Sequence, residues 1–243
     1  MGKKRLKVEV LLAAAALPPP PPSLAALLPD RACSDLLPPE DPFMNQLLAL
    51  LPQADLYLQD EVQIALHPTI TRVWCRKGRR GQRLVQAPGQ TEKQWGFGLV
   101  DWRDGWFDWA VAAGRQAAPF CAQVRRALER SRVRGRRAII LLDNLGIHTW
   151  RGSTLLRALL EEQGDQLILF YTPPYDPDSN RIEWLWRVFR AVVTHNHHRQ
   201  TLAELLEDAA TWKEELTARA VLQHIGSPCA AHAQPSEDLP IAA

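Results

Sequence analysis

From Ala54 onward the apolar positions fall into short runs bounded by turn residues. These are Leu56–Asp60, Arg72–Arg76, Trp95–Asp101 and Trp106–Ala112, separated by Lys77-Gly78, Pro88-Gly89 and Arg103-Asp104-Gly105. Short β-type runs with this punctuation predict strands, and Asp104-Gly105 between two aromatic-rich runs predicts a hairpin over Trp95–Val111. The period then lengthens. Phe120, Val124, Ala127 and Leu128 share one helical face while Arg125, Arg126, Glu129 and Arg130 share the other, which predicts an amphipathic helix. Ala138–Leu142 is an unbroken apolar run, the mark of a strand covered on both faces. A helix over Ser153–Gln163, an apolar strand Leu167–Tyr171, a helix from about Arg181 to Val193 and a last helix Leu202–Leu216 complete the pattern.

Three strands in a meander, a helix, then strand, helix, strand and helix is the element order of a ribonuclease H-like α/β fold, a five-stranded mixed sheet flanked by helices. A doubly wound parallel fold would lack the opening meander. Residues 1–52 are rich in Ala, Leu and Pro, with one short helix suggested over Asp41–Leu48, and read as a poorly structured lead-in. The domain is expected over 53–226, followed by a flexible tail over 227–243.

Composition changes this picture little. The 243 residues, 46% hydrophobic, suffice for one good core, and a net charge of +2 decides nothing. Charge distribution says more: Arg72, Arg76, Lys77, Arg79, Arg80 and Arg83 crowd one segment, and seven arginines lie between Arg125 and Arg137. Both runs suit a polyanion such as nucleic acid, the alternative being solvated loop and helix faces. The cysteines Cys33, Cys75, Cys121 and Cys229 form no CxxC pair, so neither a zinc knuckle nor a disulfide framework is indicated. Lys3, Lys4, Arg5 and Lys7 precede an apolar stretch as in a secretory signal, but Glu9 breaks into it and Pro18–Pro22 occupy the cleavage region. The expected location is the cytoplasm, in association with the nucleoid.

Three carboxylates carry the chemistry. Asp60 ends an apolar strand and shares its face with Leu56 and Leu58, while Glu61 points the other way. Asp143 follows Ile139–Leu142 at the mouth of a buried strand, where an acid is costly unless paired or metal-bound. Glu183 opens the helix whose apolar stripe includes Ile182, Leu185, Trp186 and Phe189, after the turn-rich stretch Tyr171–Asn180. Each has a plainer explanation, as a strand-ending turn residue or a helix-dipole partner. Together they form a ready cage for magnesium.

These blocks resemble the DDE transposases of bacterial insertion sequences, in the IS630-type branch of the mariner superfamily. Asp60-Glu61 with Pro68, Trp74 and Gly78 is similar to the family's first block, Asp143-Asn144 with His148 to its second, and Pro173-Pro174-Tyr175 through Glu183-Trp184 to its third. The second and third acids stand 40 positions apart. The resemblance covers about Ala54 to Pro228. It implies Asp60, Asp143 and Glu183 as a metal-binding catalytic triad, Mg2+ as cofactor with Mn2+ as a substitute, hydrolytic cutting at transposon ends and strand transfer into target DNA. It implies a homodimer or larger assembly when ends are paired, and DNA contacts from Arg76, Lys77, Arg79, Arg80, His148, Arg187 and His195. The chain departs from the family at Ser179, Arg181 and Asp176, Arg181 standing where Pro usually starts the helix. Residues 1–52 offer no helix-turn-helix, which suggests a separately encoded DNA-recognition half or a truncated remnant. A catalytically idle DNA-binding remnant and a ribonuclease H-like RNA nuclease are the competing readings. His195-Asn196-His197-His198 spells a nuclease-like string but lacks the spacing of a metal site.

Overall fold

The structure, a computed structural model, describes Leu47, residues 50–74, 84–85, 89, 92–173 and 179–231. One five-stranded sheet organises these residues: β1 (Ala54–Ala65), β2 (Lys93–Asp101), β3 (Phe107–Ala112), β4 (Arg137–Leu142) and β5 (Leu167–Tyr171), in the order β3-β2-β1-β4-β5. β1 to β3 form an antiparallel meander, while β4 and β5 join parallel to β1 and to each other. This is the mixed topology expected from the element order. Gly105 makes the β2–β3 turn with φ +73°, where its amide donates to the Asp101 carbonyl and Asp104 accepts from the Trp106 amide. Only glycine adopts that φ without strain.

The helices are α1 (Ala117–Val133), α2 (Thr154–Gln163), α3 (Ile182–Phe189), α4 (Leu202–Glu215) and α5 (Ala218–Ile225). Alternation along each strand splits the core in two. Leu56, Leu58, Ile139 and Leu141 face Ile182, Leu185, Trp186 and Phe189 of α3 together with α4 and α5. Tyr57, Phe97, Ile140 and Leu142 face Phe120 and Val124 of α1 and Leu156 of α2. The apolar face predicted for α1 is the buried one. Ser153 caps α2, accepting from the Leu156 amide at 3.1 Å. Ser153→Ala is therefore expected to cost about 1 kcal/mol, read as a fall in Tm of roughly 2–4 °C.

Several expectations change. β1 does not end at Asp60 but continues to Ala65, because Val62 and Ile64 alternate into the core and the outer half pairs with β2 from Glu61↔Phe97 to Ala65↔Lys93. Arg72–Trp74, expected in a strand, are not in one; the chain turns outward there, with Trp74 fully exposed, and the Cys75–Arg76 part lies outside the described residues. The helix after Arg181 leaves α-geometry at Arg190 and widens into a π-turn over Arg190–Thr194. α5 was not expected; Thr217 caps it, Gly226 closes it in the left-handed region, and Val221, Leu222 and Ile225 bury its inner face. Of the helix suggested over 41–48, only Leu47 falls among the described residues, and it is helical.

The arginines of 125–137 are not a free basic face. Arg125 pairs with Glu162, Arg126 with Asp108, Arg130 with Asp104, Arg132 with Glu129, Arg134 with Asp55, Asp101 and Asp104, and Arg136 with Asp55. Asp55 and Asp101 are buried and find their countercharge there, as buried carboxylates require. Trp109 packs among Phe107, Trp186, Phe189 and Trp212, and Trp102 is buried. The guanidiniums of Arg115 and Arg130 lie over Trp95 and Trp106.

Candidate active site

The register of β1 and β4 decides where the first two carboxylates meet. Their parallel pairing runs to Leu58↔Leu141, and the same register continued by two positions sets Asp60 beside Asp143, just where β4 ends. Asp60 shares its face with Leu56 and Leu58, so it points toward α3. There its Oδ2 accepts the Trp186 indole N–H at 3.0 Å. Burial raises the Asp60 carboxyl well above the usual range, and the negative charges of Glu183, Glu61 and Asp143 raise it further. Several like charges therefore converge on one partly buried carboxylate.

Asp143 is held by its own loop. Its Oδ1 accepts the Leu145 amide at 3.0 Å and faces His148 Nδ1 at 2.7 Å, while its side chain is half exposed. A short 3-10 turn, Gly146–His148, brings the imidazole back under the carboxylate. His148 is 0% exposed. Its Nε2 meets Glu61 Oε1 at 3.0 Å, its ring lies 4.6 Å from that of Phe120, and its carbonyl accepts the Tyr171 hydroxyl at 2.6 Å. Burial alone would lower the imidazole's pKa, but the hydrogen bonds and charges of Asp143 and Glu61 outweigh it and push it up to about 9. Burial likewise acts to raise the Asp143 carboxyl, yet the bonds from His148 and Leu145 leave it below its ordinary value.

Glu183 lies in the first turn of α3, where its Oε2 accepts from Arg190 at 2.7 Å. The start of that helix is fixed by a residue that sequence reasoning passed over. Asn180 accepts the Glu183 amide on its carbonyl at 3.1 Å and donates through Nδ2 to the Gln59 carbonyl of β1 at 2.8 Å. An Asn just ahead of an apolar helical stripe was the available signal. Arg181, which takes the place of the expected Pro, is 2% exposed and therefore part of the core. Residues 174–178 of the preceding loop lie outside the described residues.

A sequence model of the DDE superfamily endonucleases matches residues 55–206, more than half of the chain. The chain belongs to this family. Among curated proteins it is 26% identical over 185 residues to the insertion element IS630 uncharacterized 39 kDa protein of Shigella sonnei, covering 73% of this chain and 52% of that protein. Solved structures with a similar fold include the Mos1 mariner paired-end complex with Mn, at 17% identity and TM-score 0.53, covering 73% of this chain and 55% of that one. The pre-cleavage Mos1 transpososome matches at 16% identity and TM-score 0.53 with the same coverage. The chain thus spans about half the length of the relatives it matches, and shares their ribonuclease H-like fold.

For a DDE endonuclease the three sequence-predicted acids stand at one end of the sheet, contributed by β1, the end of β4 and the start of α3. As they stand, no three His, Cys, Asp or Glu groups among the described residues are close enough to hold an ion. Arg190 holds Glu183, and His148 holds Asp143. The donor set nonetheless fits a hard divalent cation: all three are carboxylates, and the repulsion concentrated on Asp60 is what such a charge relieves. Of the residues expected to contact DNA, Arg76, Lys77, Arg79 and Arg80 lie outside the described residues. Arg187 is exposed with its guanidinium 4.3 Å from the Trp184 ring centroid, and His195 is partly buried where the π-turn ends. His148 is instead buried, with both ring nitrogens engaged. Asn196 of the histidine-rich string has φ +49° and bonds Thr71 through both side-chain atoms, a structural role.

No helix among the described residues is long and apolar enough to cross a membrane.

Proposed function

We propose that this chain carries the catalytic domain of a transposase, cutting DNA at transposon ends and joining them to target DNA with a divalent metal held by Asp60, Asp143 and Glu183. What supports the reading is that three carboxylates from three separate elements stand at one end of the sheet, with the charges of Glu183 and Asp143 acting on Asp60. Membership of the DDE superfamily endonucleases and likeness to Mos1 structures whose names include Mn, Mg and transposon ends support it.

Bound there, a divalent ion supplies a Lewis acid for the phosphate oxygens and lowers the pKa of the attacking hydroxyl. The chain's own part is positioning. Trp186 fixes one oxygen of Asp60, His148 and the Leu145 amide fix one oxygen of Asp143, and Asn180 fixes the helix turn that bears Glu183. Glu183, whose Oε2 accepts from Arg190, would be the third carboxylate to hold the ion. Joining two ends requires at least two copies, and the basic stretch Arg72–Arg83 supplies cations for the DNA backbone.

The test incubates the full chain with duplex DNA and Mg2+ or Mn2+. Nicks that need the metal and vanish with EDTA are expected. Cleavage of RNA–DNA hybrid but not of DNA would favour the RNA nuclease, and salt-dependent DNA binding without cleavage under either metal would favour an idle remnant.

A further inference from the structure

Glu61 and His148 have no place in the carboxylate triad, yet they form the most enclosed polar arrangement beside it. Glu61 alternates away from Asp60 to the α1 face of the sheet, where its Oε1 accepts from Gln59 Nε2 at 2.8 Å and meets His148 Nε2 at 3.0 Å. The other imidazole nitrogen meets Asp143 Oδ1 at 2.7 Å. The side chains of His148 and Glu61 are 0% and 3% exposed, whereas that of Asp143 is 50% exposed. The line runs from the interior to the surface and ends on the carboxylate next to Asp60. Four elements close around His148: Glu61 from β1 and Phe120 from α1 at the imidazole, the Tyr171 hydroxyl from β5 at the backbone carbonyl, and its own turn after β4.

We infer that Glu61 and His148 are positioning residues, a buried brace that locks Asp143 through Oδ1 and leaves Oδ2 as the oxygen presented to a divalent cation. The inference rests on the metal-site reading given above. A carboxylate free to rotate presents either oxygen and loses rotamer entropy when it binds an ion. One oxygen fixed by two donors has already lost that freedom. Partners of this kind behind metal-ligating groups typically account for 10–100-fold in metal affinity. The sheet helps to make the brace rigid, since one end of the line lies on β1 and the other directly follows β4, its parallel neighbour.

Removing one partner alone leaves a buried charge unmatched and endangers folding. The informative variant is therefore the double substitution Glu61→Leu with His148→Phe, which replaces both by apolar side chains of similar size and keeps a ring against Phe120. Mn2+ affinity of the full chain is followed by electron paramagnetic resonance, with thermal unfolding of the metal-free chain as the folding control. The double variant is expected to stay folded and to bind Mn2+ about tenfold or more weakly. Glu61→Gln, which keeps an acceptor oxygen for His148, is expected to retain most of the affinity, whereas the size-matched double variant loses it, a contrast that a purely space-filling role would not produce. Unchanged affinity in a folded double variant overturns the brace. Wild-type chain that binds Mn2+ just as Asp143→Asn does overturns the metal site itself, and the brace with it.

Discussion

Asp143→Asn is expected to lower metal-dependent DNA nicking by about 10³-fold or more, with a much smaller effect on Tm. The size follows from chemistry: a ligand carboxylate contributes several kcal/mol of transition-state charge stabilisation through the ion it holds, and each 1.36 kcal/mol is tenfold in rate. Some stability is lost because buried His148 keeps only one of its two carboxylate partners, Glu61, but the loss is limited because the Asp143 side chain is half exposed and Asn keeps an oxygen for the Leu145 amide. Comparison of nicking rates and melting curves for the two proteins checks it. Equal nicking by variant and wild type would remove Asp143 from the reaction and leave cleavage to another agent in the preparation.

Trp186→Ala is expected to have the largest effect on stability, about 3–5 kcal/mol, a fall in Tm of roughly 10 °C. Trp186 is 0% exposed and touches Phe107, Trp109 and Phe189 in one aromatic cluster. The sheet is shaped for it, since a Cβ added at Gly98 would collide with the indole. Trp186→Phe separates packing from positioning. It preserves most of the apolar contact and removes the N–H that holds Asp60, so it should cost less stability than Ala and still weaken catalysis. A Phe variant as active as wild type would show that the indole serves the core alone.

The sheet was largely legible because its signals are local. Ala138–Leu142 is apolar without interruption, Asp104-Gly105 marks the hairpin, and the stripe in Ala117–Val133 repeats every three to four residues. All three acids were visible as carboxylates at the ends of apolar runs or the start of a helical stripe. What escaped depends on distant partners. Seven arginines in a short stretch look cationic until Asp55, Asp101, Asp104, Asp108 and Glu162 arrive from other elements to pair with five of them. His148 looked like a surface contact because Glu61, 87 positions earlier, leaves no local trace of the bond between them. The strand expected at Arg72–Arg76 had the right residues but no neighbouring strand edge at Arg72–Trp74 to pair with. α5 was the exception, since Thr217 and Gly226 announce its two ends in the sequence alone.

Asn180 has a consequence for how the family can vary. Its side chain grips the backbone of β1 next to Asp60, and its carbonyl receives the amide of Glu183. The spacing between the first and third acids is therefore tied by residues bridging strand and helix, Asn180 beside the Trp186 indole on Asp60. Within the family, replacing Asn180 would loosen both acids at once, which limits variation at this position. Two side chains, an amide and an indole, thus hold strand and helix in step, and a change at either is a change to the candidate site as a whole.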